Sequence, residues 1–278
     1  MKSFLFKAPT FILSALLLIC VGCKKTDTLP LEKERIRIMI PKYEEPISVP
    51  TNDIWDTSKV DISEIDSTRK LIAFTFDDAP SKYLENILMV FASYNEKYPN
   101  SKAYATVFCN GNRINNAYLP LLKGALALGF ELGNHTYSHL DLFSVNEETI
   151  HSEIQKTDAI LHALDGKDTH LFRAPFGNVN ESVKNVVTVP IIDWTIDTLD
   201  WTGKSEQEIY DAVWNNKFSG AIVLFHDGYP ATIDALKRLL PDLHEAGYQV
   251  VNVSQLAKVH QRKLQAKKRY IRIRKQLK

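Results

Sequence analysis

Two adjacent carboxylates, Asp77 and Asp78, close the apolar stretch LIAFTF. Like charges side by side at the end of a strand need partners, and the chain supplies several. His135 and His139 lie four residues apart, a spacing that one helical turn converts into two imidazoles on one side. Two imidazoles and one carboxylate form an open site for a divalent cation, with room left for water. One aspartate of the pair is the candidate third ligand. The other can then take a proton from that water as general base. Neighbouring side chains of an extended chain point in different directions, so the pair can divide these tasks. Taken singly, a DD pair caps a turn and a His pair decorates a surface. The HD at residues 226–227 of the same chain makes the joint reading the stronger one.

These residues need elements to position them. The runs LIAFTF, YATVFC, VVTVPIIDW, AIVLFH and YQVVNV are β-branched and aromatic, as buried strands are. Amphipathic helices lie between them. Over 144–165, Ile150, Ile154, Thr157, Leu161 and Leu164 recur at helical spacing, with Ser144 and Glu147 as a capping box and Gly166 as the stop. Ser205 and Glu208 form a second capping box. A third helix is expected from about 231 to 246, kinked at Pro241 and ended by Gly247. Strands alternating with helices give an α/β protein with a parallel sheet or barrel, whose chemistry gathers at the C-terminal ends of the strands. Reactive clusters do follow the apolar runs: DD after LIAFTF, NHTYSH after FEL, RAPFGN after HLF, DTLDW after VPIIDWTI, and HDG after AIVLF.

The 278 residues, 45% hydrophobic and 24% charged, have globular composition and suffice for one large domain or two small ones. Residues 1–23 read as a signal peptide: Lys2 and Lys7 precede an apolar run too short to span a bilayer. Its ending CVGC resembles a bacterial lipobox, which makes Cys23 the expected lipid-bearing residue of an exported, membrane-anchored lipoprotein. An ordinary secretory signal or an uncleaved anchor is the alternative. With Cys23 acylated, Cys109 is left as a buried apolar thiol. Residues 24–66 read as a polar tether and an irregular extension containing the strand-like RIRIMI. The last 18 residues, 261–278, hold nine Lys or Arg and no acid. Without them and the two signal-peptide lysines, residues 24–260 keep 23 basic against 33 acidic side chains. This basic C-terminal tail suits anionic lipid or an anionic wall polymer; a solvated course, or one folded back on the acidic body, is slightly favoured. No nucleic-acid partner is expected, and a monomer is.

The ordered set TFDDAP, HTYSH, RAPFG, DTLDW and LFHD resembles the NodB-type polysaccharide deacetylases, carbohydrate esterase family four, over residues 67–260. The resemblance implies a distorted (β/α) barrel and metal-dependent hydrolysis of N-acetyl groups on sugars. It implies Asp77 as general base, Asp78, His135 and His139 as metal ligands, and His226 as general acid held by Asp200. Arg173 would orient the base. The Phe176 N–H would join the metal in stabilising the oxyanion, and Pro175, Phe176, Trp201 and Leu224 would line the substrate pocket. Zinc is the expected metal, with cobalt, nickel or manganese able to occupy the same donors. The implied substrate is N-acetylglucosamine of a cell-envelope polysaccharide, peptidoglycan first. O-acetylated xylan is the alternative, and a catalytically silent carbohydrate-binding paralogue is the non-enzyme reading. Two positions depart from the family pattern. Ala79 replaces a usual Gly, so the turn there must accept a Cβ. Phe176 replaces a frequent Tyr. His151, His162, His170, His244 and His260 lack any such context and are expected at the surface.

Overall fold

The computed structural model describes residues 54–275. The expected signal peptide, Cys23 and RIRIMI lie outside them. Among the described residues no helix is long and apolar enough to cross a membrane.

The first long apolar run forms β1 (Lys70–Ala79), the central strand. Its residues alternate between two burial environments, as the pleat requires. Ile72, Phe74 and Phe76 pack outward into the larger core, and Leu71 and Ala73 pack inward into a second one. Thr75 and Asp77 continue the inward row, so the base candidate ends a column that begins as ordinary core. Helix α1 (Leu84–Lys97) covers the outer face. Strand β2 (Thr106–Cys109) pairs parallel with β1, and after α2 (Leu119–Ala127) strand β3 (Glu131–Asn134) extends the sheet. Helix α3 (Glu147–Asp165) ends at Gly166 with φ 73°, but begins differently from the expected capping box. Asn146 caps it by accepting from the Thr149 N–H, while the Ser144 hydroxyl bonds back to the Asp141 carbonyl.

Short α4 (Glu181–Val186), β4 (Ile191–Ile192) and β5 (Ile196–Asp197) follow, then α5 (Glu206–Asn216), whose Ser205–Glu208 capping box forms as expected. Strand β6 (Ile222–His226) pairs with β1 on the side opposite β2, and α6 (Pro230–Glu245) runs through Pro241. Strand β7 (Tyr248–Val251) pairs with the first half of β1, and α7 (Val253–Val259) leads into β8 (Arg269–Tyr270). All pairings between these strands are parallel.

The wall continues past the named strands. Phe172 bridges Asn134 on one side and Ile191 on the other; β4 pairs with β8, and Arg272 bridges Ala221 at the start of β6. Hydrogen-bonded neighbours thus run from β1 through β2, β3, β4 and β8 back to β6, the course of a distorted barrel. The C-terminal basic segment takes the folded-back course: Leu264, Tyr270 and Ile273 are buried, and all its described Lys and Arg are exposed. Two histidines expected at the surface are buried instead. His260 bonds the Ile273 carbonyl at 2.7 Å, and His170 lies between two aspartates.

Candidate active site

The clusters converge where the parallel strands end. β1 delivers Asp77 and Asp78, β3 delivers His135, the Phe172 bridge delivers Arg173, and β6 delivers His226. Asp77 and Asp78 do not divide by simple alternation. The β1–β2 register shifts between Phe76 and Ala79, and Asp78 takes φ 66°. This irregularity turns both carboxylates toward the same end of the barrel. The unusual backbone falls on Asp78, a residue type that tolerates the left-handed region, and Ala79 keeps its Cβ in the core.

Asp77 is 4% exposed and Arg173 fully buried. Arg173 Nη1 donates to Asp77 Oδ1 at 2.7 Å and to Thr75 Oγ1 at 2.8 Å. Its Nε donates to the Ile192 carbonyl and its Nη2 to the Asp193 carbonyl. The guanidinium lies 4.2 Å from the Phe108 ring centroid. Burial pushes the Asp77 pKa up, but Arg173, His135 and His226 together overcome it and hold the carboxyl below its usual range. Asp77 is therefore an anion with one oxygen fixed, and its Oδ2 faces His135 Nε2 at 3.6 Å.

His135 and His139 meet without a helical turn. They lie on the loop after β3, where Thr136 and His139 take φ 67° and 56°. The i, i+4 spacing suits the site, but the expected helical geometry does not occur. His135 Nδ1 bonds the Arg173 carbonyl at 2.8 Å, which leaves Nε2 as the free nitrogen. Asn110 donates to the His135 carbonyl. Both oxygens of buried Glu153 take Ser138, through its N–H and its hydroxyl, and so pin the loop that carries His139. Asp78 Oδ1 lies 3.5 Å from His139 Nε2 and 4.0 Å from His135 Nε2.

The His226–Asp200 pair opposite is tighter. Asp200 Oδ1 accepts from His226 Nδ1 at 2.7 Å, and Oδ2 accepts from the His226 N–H and the Thr232 hydroxyl. Burial disfavours the imidazolium, but the Asp200 hydrogen bond and the charges of Asp77, Asp200 and Asp78 outweigh it and raise the His226 pKa. Around the rim Phe176 is 64% and Trp201 54% exposed, free to meet a ligand, whereas Pro175 is buried. The Phe176 ring packs on His139 at 4.8 Å between centroids. Phe176 itself takes φ 59°, and Gly177 after it φ 68°, where a Cβ would come within 3.0 Å of the Trp194 ring. Leu224 shares the inward side of β6 with His226.

Comparison with known proteins shows the family. The polysaccharide deacetylase family model matches residues 64–189. A peptidoglycan-N-acetylglucosamine deacetylase of Bacillus cereus is 34% identical over 211 residues, covering 69% of this chain and 91% of its own length. The chain belongs to the polysaccharide deacetylase family. Another member, the peptidoglycan-N-acetylmuramic acid deacetylase PdaC of Bacillus subtilis, is 30% identical over 82% of the chain, which spans 45% of that longer protein. Among solved polysaccharide deacetylase relatives, a family 4 acetyl xylan esterase of Clostridium thermocellum in complex with a cobalt ion superposes with a TM-score of 0.66 at 26% identity. That match covers 73% of this chain and 99% of the esterase.

Polysaccharide deacetylases of this family are metal-dependent, and the donors here fit a divalent cation. One ligand atom each from Asp78, His135 and His139 falls within 4.8 Å of the other two. Asp78 Oδ1 is buried without a hydrogen-bond partner among the described residues, as an oxygen reserved for a cation would be. Burial, then His135, hold the His139 pKa below the ordinary histidine value, which keeps its lone pair available. Several supporting residues carried no legible sequence signal. Thr75, Asn110, Glu153 and Thr232 act through contacts distant in the chain. Asp227, visible beside His226, binds the Ser81 N–H and hydroxyl and is pushed up to about 6, chiefly by burial.

Proposed function

We propose that this protein hydrolyses N-acetyl groups of N-acetylglucosamine residues in a cell-envelope polysaccharide, peptidoglycan first, and releases acetate. The convergence of a fixed anionic base, a free two-His-one-Asp donor set and a charge-supported imidazole carries this reading. Asp78, His135 and His139 would hold the cation, zinc by donor preference, with cobalt, nickel or manganese as substitutes. When bound, it supplies Lewis acidity toward the acetyl carbonyl and eases deprotonation of water.

The chain's own groups do the rest. Arg173 fixes one oxygen of Asp77, and the other takes the proton of the attacking water. The Phe176 N–H faces the oxyanion of the tetrahedral intermediate. His226 donates from Nε2 to the departing nitrogen, because an amine leaves far better than an amide anion. Asp200 holds the proton on Nδ1 and stabilises the imidazolium before transfer. Trp201 and Phe176 would flank the sugar, with Pro175 and Leu224 behind the acetyl methyl. Cys23 would carry the lipid anchor of an envelope-bound protein, and the exposed basic residues of 262–275 would meet anionic lipid or wall polymer.

The acetyl xylan esterase likeness favours O-acetyl esters as a second reading. Acetate release from purified protein, with and without a chelator, decides between them. The expected result is chelator-sensitive release from peptidoglycan or N-acetylglucosamine oligomers and slower release from acetylated xylan. Faster release from xylan would replace the first reading with the second.

A further inference from the structure

We infer that Arg269, supplied by the C-terminal basic segment, is a positioning residue for both the base and the oxyanion loop. Strand β8 presents this side chain beside β4. Its Nε donates to Asp193 Oδ2 at 2.6 Å, and its Nη2 donates to the Gly177 carbonyl at 3.1 Å. Each contact leads to a different part of the site. Asp193 is 3% exposed, and its carbonyl accepts from Arg173 Nη2, the guanidinium that fixes Asp77. The neighbouring Ile192 carbonyl accepts from Arg173 Nε. Gly177 follows Phe176, whose left-handed backbone aims the proposed oxyanion donor. One forked cation thus joins the strand behind the base to the loop in front of the carbonyl. Arg is suited to this because its planar guanidinium serves two acceptors from one rigid frame, whereas an ammonium on a flexible stem does not.

The Asp193 carboxylate depends on this contact. Its Oδ1 is buried without a hydrogen-bond partner, and Arg269 is the only cation within ion-pair distance of it among the described residues. The other basic residues of 262–275 make no carboxylate pair among the described residues. Among the described cations of this segment, Arg269 therefore has a distinct task. The catalytic unit then reaches beyond residue 260, because its barrel wall and one of its supports come from 261–275.

The test rests on the deacetylase reading and is built so that the two fail separately. Arg269→Lys keeps the charge opposite Asp193 but cannot hold Gly177 as well. Arg269→Gln combined with Asp193→Asn removes both charges, so no carboxylate is left buried alone. For both variants kcat is expected to fall roughly 10- to 100-fold with KM nearly unchanged, because the displaced groups act in the transition state. Metal content should equal that of the wild type, and Arg269→Lys should be the milder of the two. Amide hydrogen exchange across 175–178 should quicken in both variants, a readout independent of any substrate. A kcat per bound metal within about twofold of wild type would overturn the inference, as would a lowered Tm with unchanged exchange in 175–178. If the wild type releases no acetate from any N-acetyl glycan, the proposed function fails, and the exchange measurement alone still decides whether Arg269 holds the loop.

Discussion

Two histidines of this chain are each held by aspartate, one at the site and one behind it. His226 donates from Nδ1 to one carboxylate, keeps 15% of its side chain exposed, and makes no hydrogen bond at Nε2 among the described residues. His170 is enclosed, with Asp158 at 2.9 Å from Nδ1 and Asp165 at 3.2 Å from Nε2. Both are raised in pKa against the cost of burial, His170 to about 9. The difference lies in the second nitrogen. A free Nε2 at the barrel mouth can pass a proton to a ligand, whereas a ring with both nitrogens occupied has nothing to offer. His170 instead ties α3 to the strand end: Asp158 also accepts from Asn134, the residue before His135. The same chemical pair leaves a nitrogen free in one place and is a strut in the other.

The comparison can be broken most directly by activity. His226→Ala should lower kcat by roughly 10²- to 10⁴-fold with the fold intact, the usual span for removing a general acid. Asp77→Asn should do the same while keeping bound metal; wild-type turnover in either variant refutes the assigned roles. His170→Ala should act on stability instead. Two buried carboxylates would lose their shared cation, a loss of about 3–5 kcal/mol. Chemical denaturation should show it, and kcat per folded molecule should not change.

A smaller effect sharpens the role of the loop. Glu153→Gln should weaken metal affinity about 10- to 100-fold, because Ser138 then loses part of its anchor beside His139. Equilibrium dialysis measures this, and unchanged affinity would separate Glu153 from the site. The smallest effects concern pH. The His170 pKa lies above its unfolded value of 6.5. Its contribution to stability is therefore complete below that value and is lost as pH rises through about 9. The Tm of the wild type should decline across this window, and His170→Gln should flatten the decline. At the site, Asp200→Asn removes a support of protonated His226, so the alkaline limb of the kcat profile should move to lower pH. An unmoved limb would mean that His226 is not the group titrating there.

His170 also shows why part of the site was hidden in the sequence. Its partners stand twelve residues before it on α3 and five residues before it just ahead of Gly166, and no periodic pattern marks that meeting. A lone histidine without neighbours of its kind therefore read as a surface residue. The His135–His139 pair shows the reverse. Its spacing pointed correctly to a shared side, but for the wrong local reason, since a loop with two left-handed residues joins the imidazoles. Ser144 with Glu147 matched a capping box by type, yet Asn146 wins the cap because its carboxamide oxygen reaches the Thr149 N–H.

The sequence by itself determined the chemical inventory and its order. Carboxylates, imidazoles and a guanidinium each follow an apolar run, and a parallel α/β fold brings the ends of such runs together. Alternation and helical spacing are local properties, which a linear pattern records faithfully. Only the tertiary structure decided which nitrogen of each histidine is free and which aspartate carries the left-handed turn. It alone showed that the basic C-terminal segment is part of the barrel wall. Those outcomes depend on contacts between residues far apart in the chain: Arg173 on Asp77, Thr232 on Asp200, Arg269 on Gly177. Their energies come from burial and hydrogen-bond geometry that exist only once the barrel is assembled.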